Sequence, residues 1–146
     1  MRVVIDTNIA FSAILNTNSY IGRILLHPKS NLNFYSTDLL LSEIEEHTDK
    51  LIRISKLSKP ELETTISIIK SKIRFIDANL IPSSVFETAG HLLENIDIDD
   101  IEFVALTNHI HGKLWSGDKA LQHGLAKKGW NKFISTNDLY EYISKK

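Results

Sequence analysis

The chain contains no cysteine, which removes disulfides and thiolate metal centres and suits a reducing cytoplasm. No apolar run approaches the length of a membrane span. The stretch after the first residues, Val3-Val4-Ile5, is too short for the core of a secretion signal, so the expectation is a cytoplasmic protein without a membrane. Charge of either sign is not in excess: 17 basic and 18 acidic side chains leave a net of −1. That balance argues against a general polyanion-binding surface. It does not exclude local recognition by Arg23, Arg53, Lys56, Lys59, Lys119, Lys127 and Lys128. There is no P-loop, no G-x-G-x-x-G and no G-x-S-x-G elbow, and no repeat, low-complexity segment or linker. The six histidines make no metal site by spacing; His109 and His111, two apart on a helical pattern, face different ways. Trp115 and Trp130 read as core or edge packing. The composition is ordinary, 42% hydrophobic and 24% charged, and 146 residues suffice for one domain, 1–146, with its own core.

Strand and helix signals alternate along that length. Strands are expected at 2–5, 33–36, 74–76, 113–116 and 132–135. Helices are expected at 8–15, 19–27 (stopped by Pro28), 38–53, 60–72, 82–95, 99–111, 119–128 and 137–144. Pro60 suits a first helical turn, where its missing N–H is not needed. Gly112 is placed to end its helix in a left-handed conformation, and Gly129 closes the next. Such alternation predicts an α/β protein with three layers, α/β/α, around a mainly parallel central sheet. The two-helix excursion over about residues 37–72 is the least sheet-like part and reads as a flap or a partner-binding arm.

Four short acidic motifs stand out: Ile5-Asp6-Thr7-Asn8, Ser42-Glu43, Asp97-Ile98-Asp99-Asp100 and Ser116-Gly117-Asp118. Asp6 and Asp118 follow the apolar runs Val3-Val4-Ile5 and Lys113-Leu114-Trp115, at strand ends, where open parallel sheets bind ligands. Each also precedes a helix and so doubles as an N-cap; capping and metal binding are compatible. Successive helical side chains turn by about 100°, so Leu40, Ile44, His47 and Leu51 share a stripe. Glu43 lies at its edge, and Glu45 and Glu46 point to solvent. Asp99 with Glu102 resembles a capping box, which makes Asp99 structural. Asp100 sits in the first turn, beside the stripe of Phe103, Leu106 and Ile110. Asp97, before the helix, is a supporting residue acting through water. Asn8 can support the cluster by hydrogen bonding, and Ser116 is an alternative to Asp118 as the cap of the helix that follows. Acids gathered from distant segments repel one another and raise each other's pKa values. Helix N-termini favour the ionised form, and a hard cation with oxygen ligands would neutralise the group. That combination points to phosphodiester chemistry.

At these residues the chain resembles a PIN domain over nearly its full length. The carriers are Val3-Val4-Ile5-Asp6-Thr7-Asn8, the Ser42-Glu43 helix, Asp97-Ile98-Asp99-Asp100 with the Phe103-Val104-Ala105-Leu106 helix, and Leu114-Trp115-Ser116-Gly117-Asp118-Lys119. The third is similar to the family's D-x-x-D followed by F-x-A-L-A, with Thr107 where the family often has Ala. The fourth is similar to its strand ending in T/S-x-D. The resemblance implies a ribonuclease dependent on Mg²⁺ or Mn²⁺, of the VapC-like toxin kind, with RNA as substrate, a small antitoxin as partner and a homodimer as assembly. It matches Asp6, Glu43, Asp100 and Asp118 to the family's acidic quartet. Asp6, Asp100 and Asp118 would hold one or two ions, and Glu43 would complete the set or orient water. A cation there lowers the pKa of water and offsets charge on the phosphoryl oxygens.

Two other readings compete. A phosphoaspartyl enzyme also uses a strand-end Asp, but the haloacid-dehalogenase-like motif needs a second Asp where this chain has Asn8. A receiver-type switch needs an acidic pair near its first strand, and Asp6 stands alone. A catalytically inactive PIN-like module that binds RNA or protein is the other alternative; the presence of all four acids makes it the weaker case.

Overall fold

Along a strand, side chains point alternately to the two faces of the sheet, so a continuous apolar run requires cover on both. The computed structural model describes residues 1–28 and 31–145, and in it Arg2–Ile5 forms β1. Val3 and Ile5 enter one core while Val4 enters a second. The elements that follow are α1 (Thr7–Leu15), α2 (Tyr20–Leu26), β2 (Asn33–Thr37), α3 (Asp38–Glu46), α4 (Thr48–Ser55), α5 (Lys59–Ser71) and β3 (Ile73–Ile76). After these come α6 (Ser83–Leu92), α7 (Ile101–Ile110), β4 (Lys113–Trp115), α8 (Lys119–Lys127), β5 (Phe133–Ile134) and α9 (Thr136–Ser144). Short 3-10 turns lie at Ala78–Leu80 and Ile98–Asp100.

The five strands are ordered β3-β2-β1-β4-β5, and every neighbouring pair is parallel. Ile5 registers with Trp115, and Val4 with Tyr35. One face of the sheet is covered by α1 to α5 and α9, through residues such as Ile14, Leu40, Leu51, Ile69 and Leu139. The other is covered by α6, α7 and α8, through Ala89, Leu93, Leu106 and Leu125. This is the three-layer α/β/α architecture expected from the alternation. Both tryptophans are buried, and each indole N–H donates at 3.0 Å: Trp115 to the Thr136 hydroxyl, Trp130 to the Asn108 carbonyl oxygen.

The order of the strands also locates a crevice. From β1 the chain moves outward to β2 and β3 on one side, then returns to build β4 and β5 on the other. The direction reverses between β1 and β4. At such a switch point the loops leaving the carboxyl ends part in opposite directions.

Three expectations are corrected. Residues 38–53 form two helices, because the ladder breaks at His47 (φ −103, ψ 15). The Thr48 hydroxyl donates to the Ile44 carbonyl at 2.9 Å, a back-bond of the kind that bends helices. The excursion over 37–72 is not a free arm: Leu40, Ile44, Leu51, Leu62, Ile66 and Ile69 all join the core that contains β1. At the end of α7 the left-handed residue is His111 (φ 55), one before Gly112. Gly112 donates its N–H to the Thr107 carbonyl at 3.0 Å, the long bond of a Schellman ending. Its hydrogen side chain is required for another reason: a Cβ there would lie 2.8 Å from the Arg2 carbonyl oxygen of β1.

Candidate active site

The switch point is where the acids gather. Asp6 follows β1 directly and caps α1, its carboxylate accepting from the Ile9 N–H at 3.0 Å. Asp118 follows β4 by way of Ser116-Gly117 and caps α8, accepting from the Leu121 N–H at 3.0 Å. Because β1 and β4 are neighbours, the two caps stand side by side. Ser116 lies by both: its hydroxyl oxygen accepts from the Asp118 N–H at 3.1 Å, and its hydroxyl is near enough to the Asp6 carboxylate to favour the ionised form.

Asp97 and Asp100 come from the 3-10 turn that precedes α7. Here the capping-box expectation is corrected. Asp97, not Asp99, caps the turn, accepting from the Asp99 N–H at 3.0 Å. Asp100 occupies the N-cap position of α7 but makes no side-chain cap bond, which leaves both its oxygens available. Glu102 does not fold back to cap; it is half-buried and senses Asp38 and Glu43. One carboxylate oxygen from each of Asp97, Asp100 and Asp118 lies within 4.8 Å of the others. Asp6, expected among the ligands, stands just outside this trio, close enough for its charge to act on Asp100. Asp97, expected only as a support, stands inside it.

Burial governs the electrostatics. Asp6 is 4% exposed, and desolvation raises its pKa against the opposing hydrogen bonds from Ser116 and Ile9, with Asp118 adding to the rise. Asp100 is pushed up to about 7, first by burial and then by Asp97, Asp6, Asp118 and Asp99. Helix N-termini together with a cation were expected to keep these acids ionised, and without the cation the helix ends act alone. At Asp6 and Asp100 burial outweighs that effect, because each charged form loses water and faces other carboxylates.

Beside the trio opens a cleft of about 310 Å³, with Asp6, Asn8, Glu43 and Asp100 on its walls. Asn8 is exposed there and Glu43 half-buried, while Glu45 and Glu46 face solvent, as their positions on α3 predict. Phe11, His47 and Lys50 also line the cleft, and Phe11 meets the His47 ring edge-on at 5.8 Å. Sequence reasoning missed these three. His47 lies at the break between α3 and α4 and Lys50 in the first turn of α4, and no proline or glycine marks that break in the sequence. Among the described residues the Thr7 hydroxyl, in the same wall, is buried without a hydrogen-bond partner.

The donor set suits a small hard cation. The trio is made only of carboxylate oxygens, the donors that Mg²⁺ and Mn²⁺ prefer. A cation would relieve the repulsion that raises Asp100.

The model of the PIN domain family matches residues 4–137 of the chain. No curated protein matches it in sequence. Among solved structures, PAE2754 from Pyrobaculum aerophilum is similar with a TM-score of 0.67 at 11% identity, over 100% of this chain and 91% of that one. VapBC2 from Rickettsia felis, crystallised with a DNA fragment from its promoter, is similar with a TM-score of 0.64 at 18% identity, over 92% of this chain and 97% of that one. At these identities the likeness is one of fold.

Proposed function

This chain belongs to the PIN domain family, and from that premise we propose that it is a divalent-metal-dependent endoribonuclease, the toxin of a toxin–antitoxin pair. The observation that carries the reading is the meeting of Asp97, Asp100 and Asp118 within 4.8 Å, next to Asp6 at the switch point of the sheet. Asp100 and Asp118 would hold Mg²⁺ or Mn²⁺ together with Asp97 and Asp6. When bound, the cation acts as a Lewis acid, making water more acidic and offsetting charge at phosphorus. The chain's own residues do the rest. Ser116 fixes the Asp6 carboxylate and the backbone before Asp118, so both acids are held in position before substrate arrives. Glu43, on the cleft wall, orients the attacking water and takes its proton. Asn8, exposed on the cleft wall, supports the cluster by hydrogen bonding. The likeness to VapBC2 supports the toxin–antitoxin part of the reading, with a small antitoxin as partner. A homodimer and a cytoplasmic setting complete it, with 1–146 as one nuclease domain.

The test is cleavage of a mixed RNA pool by purified protein, in Mg²⁺ or Mn²⁺ and in EDTA, alongside Asp6→Asn and Asp118→Asn. An Asn oxygen still accepts the cap bond, so without metal both variants should fold and melt no lower than wild type. Cleavage should require the metal, and each variant should lose more than the roughly 10–100-fold typical of an outer-shell ligand partner. Wild-type rates in both variants would sink the assignment. RNA binding without metal-dependent cutting would identify the inactive binding module instead.

A further inference from the structure

Outside the acidic motifs, charge is unevenly spread along this chain. From Lys50 to Pro60 the sequence carries Lys50, Arg53, Lys56 and Lys59 and no acid, in a protein whose net charge is −1. All four side chains are exposed. Among the described residues none of the four forms a salt bridge with a carboxylate, although Asp49 and Glu61 bracket the run in sequence. Their placement follows from the break at His47. Glu43 lies on α3 and Lys50 on α4, yet both line the same cleft. Arg53 is three residues beyond Lys50 on α4, and so adjacent on its surface. Lys56 ends α4 in the left-handed conformation (φ 60), and Lys59 opens α5. From Lys50 to Lys56 the helical rise is about 9 Å. Lys50 thus stands on the wall of a cleft whose interior is acidic, and Arg53, Lys56 and Lys59 follow it as exposed cations along the next turns of the chain.

An acidic interior repels a phosphate chain, and a basic margin offsets that repulsion while raising the local concentration of polyanion. Resting on the nuclease reading above, we propose that Lys50, Arg53, Lys56 and Lys59 form an entry track for RNA, binding backbone phosphates on one side of the bond to be cut. Lys50 contacts the phosphate nearest the acids, and the other three hold successive phosphates along α4 and the start of α5. Contacts of this kind carry no base information. They set affinity and register, and leave the chemistry to the carboxylates.

The experiment compares wild type with Lys50→Gln and with the triple variant Arg53→Gln/Lys56→Gln/Lys59→Gln. KM and kcat are read in Mg²⁺. The affinity for a short labelled single-stranded RNA is read across a salt series with Ca²⁺ in place of Mg²⁺. Each phosphate contact contributes about 0.7 to the slope of log affinity against log salt for a single strand. The triple variant should therefore flatten the slope by about 2, and Lys50→Gln by about 0.7. KM should rise about tenfold or more in the triple variant at low salt, with a smaller change in kcat. Arg53→Lys/Lys56→Arg/Lys59→Arg, which keeps the charge, should retain the wild-type slope. Lys113→Gln, exposed at the start of β4 and so at the end of the sheet away from the acids, controls for the loss of a single positive charge and should leave the slope unchanged. Cleavage with KM and slope unaltered in the triple variant overturns the track while the nuclease reading stands. RNA binding without cutting, with a flattened slope in the triple variant, supports the track and overturns the nuclease reading. A wild type that neither binds nor cuts RNA overturns both.

Discussion

Asp100 is the residue at which burial and four other carboxylates meet. Burial first, then Asp97, Asp6, Asp118 and Asp99, holds its proton on up to about pH 7, whereas the unfolded chain releases that proton near 3.8. Between those values the folded state binds more protons than the unfolded one. The slope of stability with pH is then negative: the contribution is at its most favourable below the unfolded value, and it is lost as pH rises toward 7. Metal-free protein should accordingly melt at a higher temperature at pH 5 than at pH 7.5. Asp100→Asn should narrow that difference, the remainder being carried by Asp6 and Glu102, whose pKa values burial also raises, and melt above wild type at pH 7.5. Calorimetry in EDTA at the two pH values checks this; a wild type that gains stability from pH 5 to 7.5, with Asp100→Asn following the same curve, would count against it. A cation competes with the proton for the same oxygens, so metal affinity should rise over the same window. Which acids come together was partly legible in the sequence. Asp6 and Asp118 end apolar runs, and strand ends are where sites form. The place of Asp97 was not legible, because a 3-10 turn and a capping box begin with the same residue types.

At the scale of elements, the glycines show how little a motif says about packing. Gly117 sits inside the Ser116-Gly117-Asp118 motif and looks indispensable, yet a Cβ there would meet nothing within 4 Å. Gly112 belongs to no motif, yet its Cβ would lie 2.8 Å from the Arg2 carbonyl oxygen. That oxygen is backbone of β1 and cannot swing aside as a side chain would. Gly112→Ala forces β4 away from the strand that carries Asp6, at the ~1–3 kcal/mol typical of overpacking. For a chain of this size that is a fall in melting temperature of about 3–10 °C. Gly117→Ala should change it by little. Equal melting of the two variants would contradict the close approach of Gly112 to β1. The sequence marked Gly112 as a helix ending, and the ending is there, one residue earlier. What it could not reveal was the strand passing beside it, because that contact is made by residues far apart along the chain. The break between α3 and α4 was hidden for a similar reason. Thr48 suits a helix interior by pattern, and its bond to Ile44 is of a kind that Thr107 makes inside the unbroken α7, so nothing local marks the break after which His47 and Lys50 line the cleft.

For the whole molecule, the parallel order β3-β2-β1-β4-β5 brings together acids supplied by both halves of the chain, and no local segment can form the site alone. In the unfolded chain Asp97, Asp100 and Asp118 have no reason to lie within 4.8 Å of one another, so a cation that uses them binds the folded state alone. Such a ligand stabilises by an amount set by its concentration relative to its Kd, about 2.7 kcal/mol at a hundredfold excess. With a shift of about 2–4 °C per kcal/mol for a protein of this size, Mn²⁺ or Mg²⁺ at that excess should raise the melting temperature by roughly 5–10 °C at pH 7.5. The same experiment tests the membership of the trio. If Asp97 ligates, Asp97→Asn should cut the metal-induced rise as deeply as Asp118→Asn does. Glu45→Gln, on the solvent side of α3, should leave it whole. A full rise in Asp97→Asn beside a lost one in Asp6→Asn would move the cation toward β1 and return Asp97 to the role of a turn cap. Wild-type protein unmoved by either ion would mean that the fold tolerates its acidic centre without a metal, in which case the raised pKa of Asp100 is how it does so.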